Sequence, residues 1–253
     1  MLDAVIFDLD GTLLDWSGFA TDWETMAREQ LKPVHSYLSG NGHPLPEIDP
    51  FAGDINSRSR AAWDRVQGGD LNAPRLRDVV YESLVGFGLD MTAVDVDDVL
   101  RRYPWGQVPG TRLYPEARSV LDTLRRAGLR LGLLTNAFQP MWMRDKELRD
   151  LGIESFFDCR VSAADVGKLK PHPLPFEYTL RRVGAAPESS VFVGDSLSAD
   201  IAGAKGIGMR AIWRQLPGEE RAAGDSRPDA TIQTLGEMLP HLDRWFPGWR
   251  NAN

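Results

Sequence analysis

The chain has 253 residues, 42% hydrophobic and 26% charged, a composition of globular proteins and a length that admits one large domain or two smaller ones. Its formal net charge of −7 argues against a nucleic-acid partner, which calls for a basic patch or stripe. No apolar run approaches the roughly 18–20 residues that a membrane span needs, so no membrane partner is expected.

Residues 4–8 (Ala-Val-Ile-Phe-Asp) read as a buried strand, and the run closes on Asp8-Leu9-Asp10-Gly11-Thr12. A strand that delivers carboxylates to its C-terminal end sets them where open α/β sheets bind ligands. Gly11 offers a turn, so Asp8 and Asp10 can converge on one small volume. One could attack or ligate a metal, and the other could move a proton. By itself, an aspartate before a turn is equally a cap.

Residues 15–112 have a different texture. Phe19, Trp23, Met26 and Ala27 form one helical stripe, which Pro33 is expected to end or kink. Ile55, Ala62, Trp63 and Val66 form a weaker second stripe. Leu76, Val79, Val80, Leu84 and Phe87 form a third, and Val96, Val99, Leu100 and Tyr103 a fourth. No strand is expected here. The segment reads as a helical insertion placed directly after the first strand's turn, with the Pro- and Gly-bearing residues 103–115 as its return linker.

From residue 113 onward, short apolar runs alternate with helices. Ala117, Val120, Leu121 and Leu124 mark a helix that stops at Gly128, and residues 129–134 read as a strand. Met141, Leu148 and Leu151 mark a helix ended by Gly152, followed by a strand over residues 156–161. That strand holds Cys159, which reads as a buried thiol; a single cysteine excludes an internal disulfide. Together with an N-terminus lacking a basic region and long apolar core, it points to a cytoplasmic protein. Phe176, Leu180 and Val183 mark a further helix ended by Gly184. Residues 190–193 and 209–213 are strands around a short helix at 201–205, and Leu235, Met238, Leu242 and Trp245 suggest a closing helix. Such alternation implies right-handed crossovers and a parallel sheet covered on both faces.

Three further signals follow strands of this part. In Leu134-Thr135-Asn136, a hydroxyl and an exposed backbone N–H could hold a phosphate oxygen, although Thr-Asn is also ordinary turn chemistry. In Lys168-Leu169-Lys170-Pro171, the proline biases Lys170 to an extended conformation, where it could neutralise a carboxylate and phosphate oxygens together. In Val193-Gly194-Asp195-Ser196, an aspartate after a close-approach glycine suits a hard cation, and Asp200 could anchor the next helix. The histidines His35, His43, His172 and His241 show no zinc-ligand spacing; His172 reads as a solvated early-helix residue.

In order and spacing, Asp8-Leu9-Asp10-Gly11-Thr12, Leu134-Thr135-Asn136, Lys170-Pro171 and Gly194-Asp195-Ser196 through Asp200 resemble the four motifs of the haloacid dehalogenase superfamily. The resemblance implies an α/β class: a Rossmann-like parallel sheet with helices on both faces, built from residues 1–14 and 113–253, with residues 15–112 as an all-helical cap. It also implies a Mg²⁺-dependent phosphatase that acts on a small phosphorylated metabolite. Asp8 would be the nucleophile that forms an aspartyl-phosphate, and Asp10 the general acid–base. Asp8 and Asp195 side chains with the Asp10 carbonyl would hold the metal, with Asp200 behind them. Thr135 and Asn136 would bind phosphate and Lys170 would offset charge.

A 2-haloacid dehalogenase shares the nucleophile and cap, but halide departure needs no proton, and the resemblance implies that such enzymes lack the second aspartate. A phosphomutase shares the core residues. A phospho-receiver domain also places an aspartate, a hydroxyl and a lysine at strand ends, but is about half as long and lacks the insertion. Residues 15–112 hold ten Arg/Lys and fifteen Asp/Glu. An acidic cap is a poor trap for polyanions and favours a small monoester. Trp16 could wall the entrance, and Arg58 or Arg60 could meet a carboxylate or sugar oxygen. Oligomeric state is not legible.

Overall fold

β1 (Ala4–Phe7) is buried on both sides, and its alternation divides the interior in two. Val5 and Phe7 enter one cluster, Ala4 and Ile6 the other. β6 (Ser190–Gly194) repeats the division, with Val191 and Val193 on the first side and Phe192 on the second. Two-sided burial is why these strands read as unbroken apolar runs. The computed structural model describes residues 1–222 and 224–251, so residues 223, 252 and 253 of the expected core segment lie outside the described residues.

Parallel pairing joins β1 to β4 (Arg130–Thr135) on one side and to β6 on the other. The sheet runs β5 (Cys159–Ser162), β4, β1, β6, β7 (Arg210–Arg214), β8 (Ala230–Ile232). Numbered among themselves, these strands lie in the order 3-2-1-4-5-6, a doubly wound sheet whose connections reverse direction beside the first strand. Ligands of such sheets bind outside the C-terminal strand ends at that reversal. α5 (Ala117–Arg126), α6 (Met141–Asp150) and α10 (Met238–Trp245) cover the first face through Leu121, Leu148 and Leu242. α8 (Pro173–Val183) and α9 (Ala202–Gly206) cover the second through Phe176, Leu180 and Ala204.

Several expected boundaries move. The strand read over 156–161 begins only at Cys159, because residues Glu154–Phe156 form a 3₁₀ turn. That turn drops Phe157 into the core, and Asp158 closes the approach by accepting the Leu131 N–H at 2.8 Å through its carboxylate. β8 was not anticipated, being three residues long. The helix expected at 201–205 is preceded by a π-helical turn, Leu197–Ile201.

Between β1 and β4 the chain leaves the sheet through β2 (Leu14–Asp15) and returns through β3 (Arg112–Leu113). These pair antiparallel, which corrects the expectation of no strand in residues 15–112. Two residues are too few to show alternation. Asp15 and Arg112 close the pair with a 2.9 Å contact. α1 (Trp23–Gly40), α2 (Ile48–Gln67), α3 (Leu76–Gly86) and α4 (Val96–Arg101) then bury a cluster of their own, including Leu31, Val34, Leu38, Phe51, Val80 and Leu84.

Pro33 neither ends α1 nor marks its limit: the helix runs on to Gly40. An interior proline costs about 3 kcal/mol, and burial of Leu31, Val34 and Leu38 on either side of it opposes that cost. Each fully buried aliphatic side chain contributes about 1.5–3 kcal/mol.

Phe51 is 0% exposed in that cluster, whereas Trp23 is 52% exposed. Phe51→Ala is expected to cost about 3–5 kcal/mol, and Trp23→Ala about 0.5 kcal/mol or less. Denaturant unfolding curves followed by circular dichroism test both, and equal losses would contradict this packing.

Candidate active site

Asp8 lies one residue beyond β1 and is 5% exposed; its N–H still bonds the Val193 carbonyl at 2.9 Å, so the sheet itself aims it. The Lys170 ammonium meets Asp8 Oδ1 at 2.6 Å, Asp200 Oδ1 at 2.7 Å and the Leu134 carbonyl at 3.0 Å. Asp195, just past β6, completes an acidic group in which ligating oxygens of Asp8, Asp195 and Asp200 lie within 4.8 Å of one another.

Two glycines make the convergence sterically possible. A Cβ on Gly11, whose φ is +78°, would lie 2.3 Å from Asp195 Oδ2. One on Gly194 would lie 2.4 Å from the Asp200 carboxyl carbon.

The electrostatics follow from burial. Desolvation raises the Asp8 pKa well above the usual carboxylate range; Lys170 opposes this, and Asp200, Asp195 and Asp10 add to it. Asp195 is pushed up to about 6, first by burial and then by Asp200. Burial disfavours the charge on Lys170, but Asp200 and Asp8 outweigh it and raise its pKa.

The segments after β4 and β5 are locked together by one side chain. Asn136 Oδ1 accepts the Lys170 N–H at 2.8 Å, and its Nδ2 donates to the Lys170 carbonyl at 3.1 Å. Its carboxamide is thus engaged in positioning Lys170. The Thr135 hydroxyl lies 3.4 Å from Asp10 Oδ2.

The Asp10 carboxylate turns away from Lys170. Its Oδ1 accepts from Trp16 Nε1 at 2.9 Å, and Arg144 Nη2 stands 3.1 Å from each of its oxygens. Arg144 is 4% exposed and pairs on its far side with the fully buried Glu147 at 2.8 Å. That pairing is by charge rather than by an aligned hydrogen bond. The guanidinium also sits 5.8 Å over the Trp105 ring, which belongs to the return linker.

Neither Arg144 nor Glu147 was foreseen. A signal did exist: Arg144 falls between Met141 and Leu148 at helical spacing, on the stripe that α6 buries. Arg58 pairs instead with Asp54 at 2.7 Å and Arg60 with Glu24. His172, half-buried, is the N-cap of α8, its Nδ1 accepting the Leu174 N–H at 3.1 Å.

Comparison with known proteins gives a consistent picture. The family model described as haloacid dehalogenase-like hydrolase matches residues 2–208. A phosphoglycolate phosphatase from Shigella dysenteriae serotype 1 (strain Sd197) is 32% identical over 246 residues, 94% of this chain and 92% of that protein. A 2-haloacid dehalogenase structure from Pseudomonas syringae pv. Tomato DC3000 superposes with a TM-score of 0.64 at 28% identity, covering 97% of this chain and 100% of that one. A HAD phosphatase structure from Thermococcus onnurineus gives 0.58 at 28%, covering 95% and 98%.

Burial pushes the Glu147 carboxyl up to about 7 against the pull of Arg144, from an ordinary value of 4.5. The folded chain therefore holds a proton that the unfolded chain releases. The associated stability is fully present below pH 4.5 and is lost as pH rises through about 7. Glu147→Gln is expected to lose less stability between pH 5 and pH 8 than the parent does. Denaturation midpoints at the two pH values measure this, and an equal loss in both proteins would contradict it.

Proposed function

This chain belongs to the haloacid dehalogenase-like hydrolases, and from that premise we propose that it is a Mg²⁺-dependent phosphatase, cleaving a small phosphorylated metabolite through an aspartyl-phosphate on Asp8. One observation carries the reading: the two aspartates of the first turn are held by separate cations, Asp8 by Lys170 and Asp10 by Arg144. A nucleophile and an acid–base group are thereby positioned independently on one short loop.

Lys170 holds Asp8 Oδ1, and Oδ2, which accepts only a long 3.5 Å bond from the Thr12 hydroxyl, is the attacking oxygen. As the Oδ2–phosphorus bond forms and the ester P–O bond breaks, Asp10 gives its proton to the departing oxygen. Asp10 then takes a proton from water, whose oxygen attacks phosphorus and expels the Asp8 carboxylate, releasing phosphate. Arg144 shares its charge between Asp10 and Glu147, so it orients Asp10 without binding it as an exclusive partner. The Thr135 hydroxyl and the Asn136 backbone N–H would meet the phosphate oxygens.

A carboxylate and a phosphate charge about 4 Å apart repel by about 4 kcal/mol at an effective dielectric of 20. Lys170 and Arg144 are already engaged, so Asp195 retains uncompensated charge, consistent with its pKa near 6. Hard oxygen donors in such excess fit Mg²⁺. Asp8 and Asp195, with the Asp10 carbonyl, would hold it, while Asp200 anchors Lys170 and the Ser196 N–H, which its Oδ2 accepts at 3.0 Å. When bound, the ion supplies the positive charge that offsets this repulsion.

We read residues 15–112 as the cap and residues 1–14 with 113–253 as the core. The separate apolar cluster of α1–α4 and the single β2–β3 crossing support that division. The acid–base aspartate speaks against dehalogenation, in which the leaving halide needs no proton. A lone cysteine, buried in β5, suits the cytoplasm; among the described residues no helix is long and apolar enough to cross a membrane.

Asp8→Asn is expected to abolish phosphoenzyme formation. Asp10→Asn should slow an alkyl ester by about 10²–10⁴-fold in single-turnover experiments while slowing an activated aryl ester much less. Equal slowing of both esters would remove Asp10 from the acid–base role. Chelation of divalent metal should abolish turnover and lower the thermal midpoint, with Mg²⁺ restoring both; full turnover with metal loss verified would overturn the metal assignment.

A further inference from the structure

The acidic loop opens into a cavity of about 810 Å³ between the sheet and the inserted helices, bounded at its floor by Asp10, Gly11, Asn136 and Asp195. That volume lies in the upper part of the range of ligand clefts, about 300–1,000 Å³. The hydroxy acid of phosphoglycolate would fill a small part of it. The walls are aromatic: Trp16, Trp23, Trp63, Tyr103, Trp105 and Phe138 all face the cavity. Trp16 and Trp23 stand 5.6 Å apart between ring centroids, tilted by 34°, and so pack into one continuous aromatic surface. Trp23 stays 52% exposed at the start of α1, an apolar surface left in solvent beside the opening.

The charges on the same walls have a matching sense. Of the cationic residues lining the cavity, Arg60 pairs with Glu24, and Arg144 is held between Asp10 and Glu147. Engaging Arg144 with a substrate carboxylate would strip a buried carboxylate of its partner, and the charge of Arg60 is already matched by Glu24. Asp64 adds negative charge to the walls. The remaining polar groups are neutral: Gln30, Asn56, Ser59, Gln67 and Gln139 line the cavity and can exchange hydrogen bonds with an uncharged ligand.

From this combination we infer that the substrate is a phosphate monoester whose alcohol carries a neutral planar ring and no anionic group besides the phosphate, the ring packing against the aromatic wall that Trp16, Trp23 and Trp63 contribute. The inference rests on the phosphatase reading and narrows it. It sets this chain apart from its phosphoglycolate-cleaving relatives in substrate while leaving the chemistry of Asp8 and Asp10 unchanged. Aromatic pairs add attraction beyond area burial, and a small acid gains nothing from these walls.

The test uses the full chain with Mg²⁺ and compares benzyl phosphate with ethyl phosphate, whose leaving alcohols are of similar acidity, so that the ring is isolated as the variable. Phosphoglycolate, a 5′-nucleoside monophosphate and acetyl phosphate complete the panel. The expected result is kcat/KM for benzyl phosphate and the nucleotide at least about tenfold above ethyl phosphate and phosphoglycolate, the scale on which an apolar pocket discriminates. Trp63→Ala and Trp23→Ala should each bring the benzyl-to-ethyl ratio down toward one. Because Trp23 is half exposed, its removal leaves the buried clusters intact.

Phosphoglycolate turned over in preference to the ring esters, a parent ratio near one, or a ratio that survives both substitutions would overturn the inference and leave the phosphatase reading standing. No turnover of any ester, with acetyl phosphate included, would remove both.

Discussion

Two buried carboxylates and a half-buried third cannot share so small a volume without a cation among them, and the Lys170 ammonium fills that place. It bridges Asp8 and Asp200 at 2.6 and 2.7 Å while bonding the end of β4 through the Leu134 carbonyl at 3.0 Å. Like charges at such separations repel by several kcal/mol even at an effective dielectric near 20. Everything around Lys170 follows from keeping it in place. Asn136 clamps both of its backbone polar groups, and Gly194 lets Asp200 approach to the distance a side chain would forbid. Removal of one partner from a buried pair commonly costs about 3–5 kcal/mol, so the site and the fold's stability are tied together here.

A second charge system stands apart from the first. Asp10, Arg144 and Glu147 form a chain of alternating sign that begins at the acidic loop and runs into α6. Trp16 and Trp105, from the two ends of the insertion, touch it at Asp10 and at Arg144. α6 also contributes Met143 to the apolar cluster of the inserted helices. One helix thus carries the group that orients Asp10 and the contact that seats the insertion. A shift of the insertion relative to the sheet must therefore be felt at Asp10, whereas Asp8 is held by β1, β6, Lys170 and Thr12.

The sheet's order explains why four distant sequence segments meet. β1 lies at the centre, and the chain visits one flank through β4 and β5 before crossing to the other through β6. The C-terminal ends of β1, β4 and β6 are then neighbours, delivering Asp8, Thr135 and Asp195 to one edge. The insertion leaves from that edge and returns to it through the β2–β3 pair. Trp16, Trp23, Trp63, Tyr103 and Trp105 of the insertion therefore line the space above the acidic loop.

Much of this was legible in the chain itself. Two-sided burial turns central parallel strands into plain apolar runs, and amphipathic helices carry their period openly, so β1, β4, β6, β7 and the principal helices could be read within a few residues. Asp8, Asp10, Thr135, Asn136 and Asp195 stand at the ends of such runs, and their order and spacing with Lys170 and Asp200 carried the family resemblance through which the seven were named. The passage of α1 through Pro33, the two-residue strands at Asp15 and Arg112, and the late start of β5 could not be read. Each is decided by packing or pairing with residues far away in sequence. Arg144 falls on the stripe that α6 buries, but as a charged pair spaced i, i+3 Arg144 and Glu147 also resemble a solvated helix face, and only the approach of Asp10, more than a hundred residues earlier, makes their burial tolerable. Local periodicity and turn chemistry are written residue by residue, so the sequence determined the elements and the acidic motifs. Which side chains share a charge, and what lines the space above them, depended on long-range contacts that only the folded chain creates.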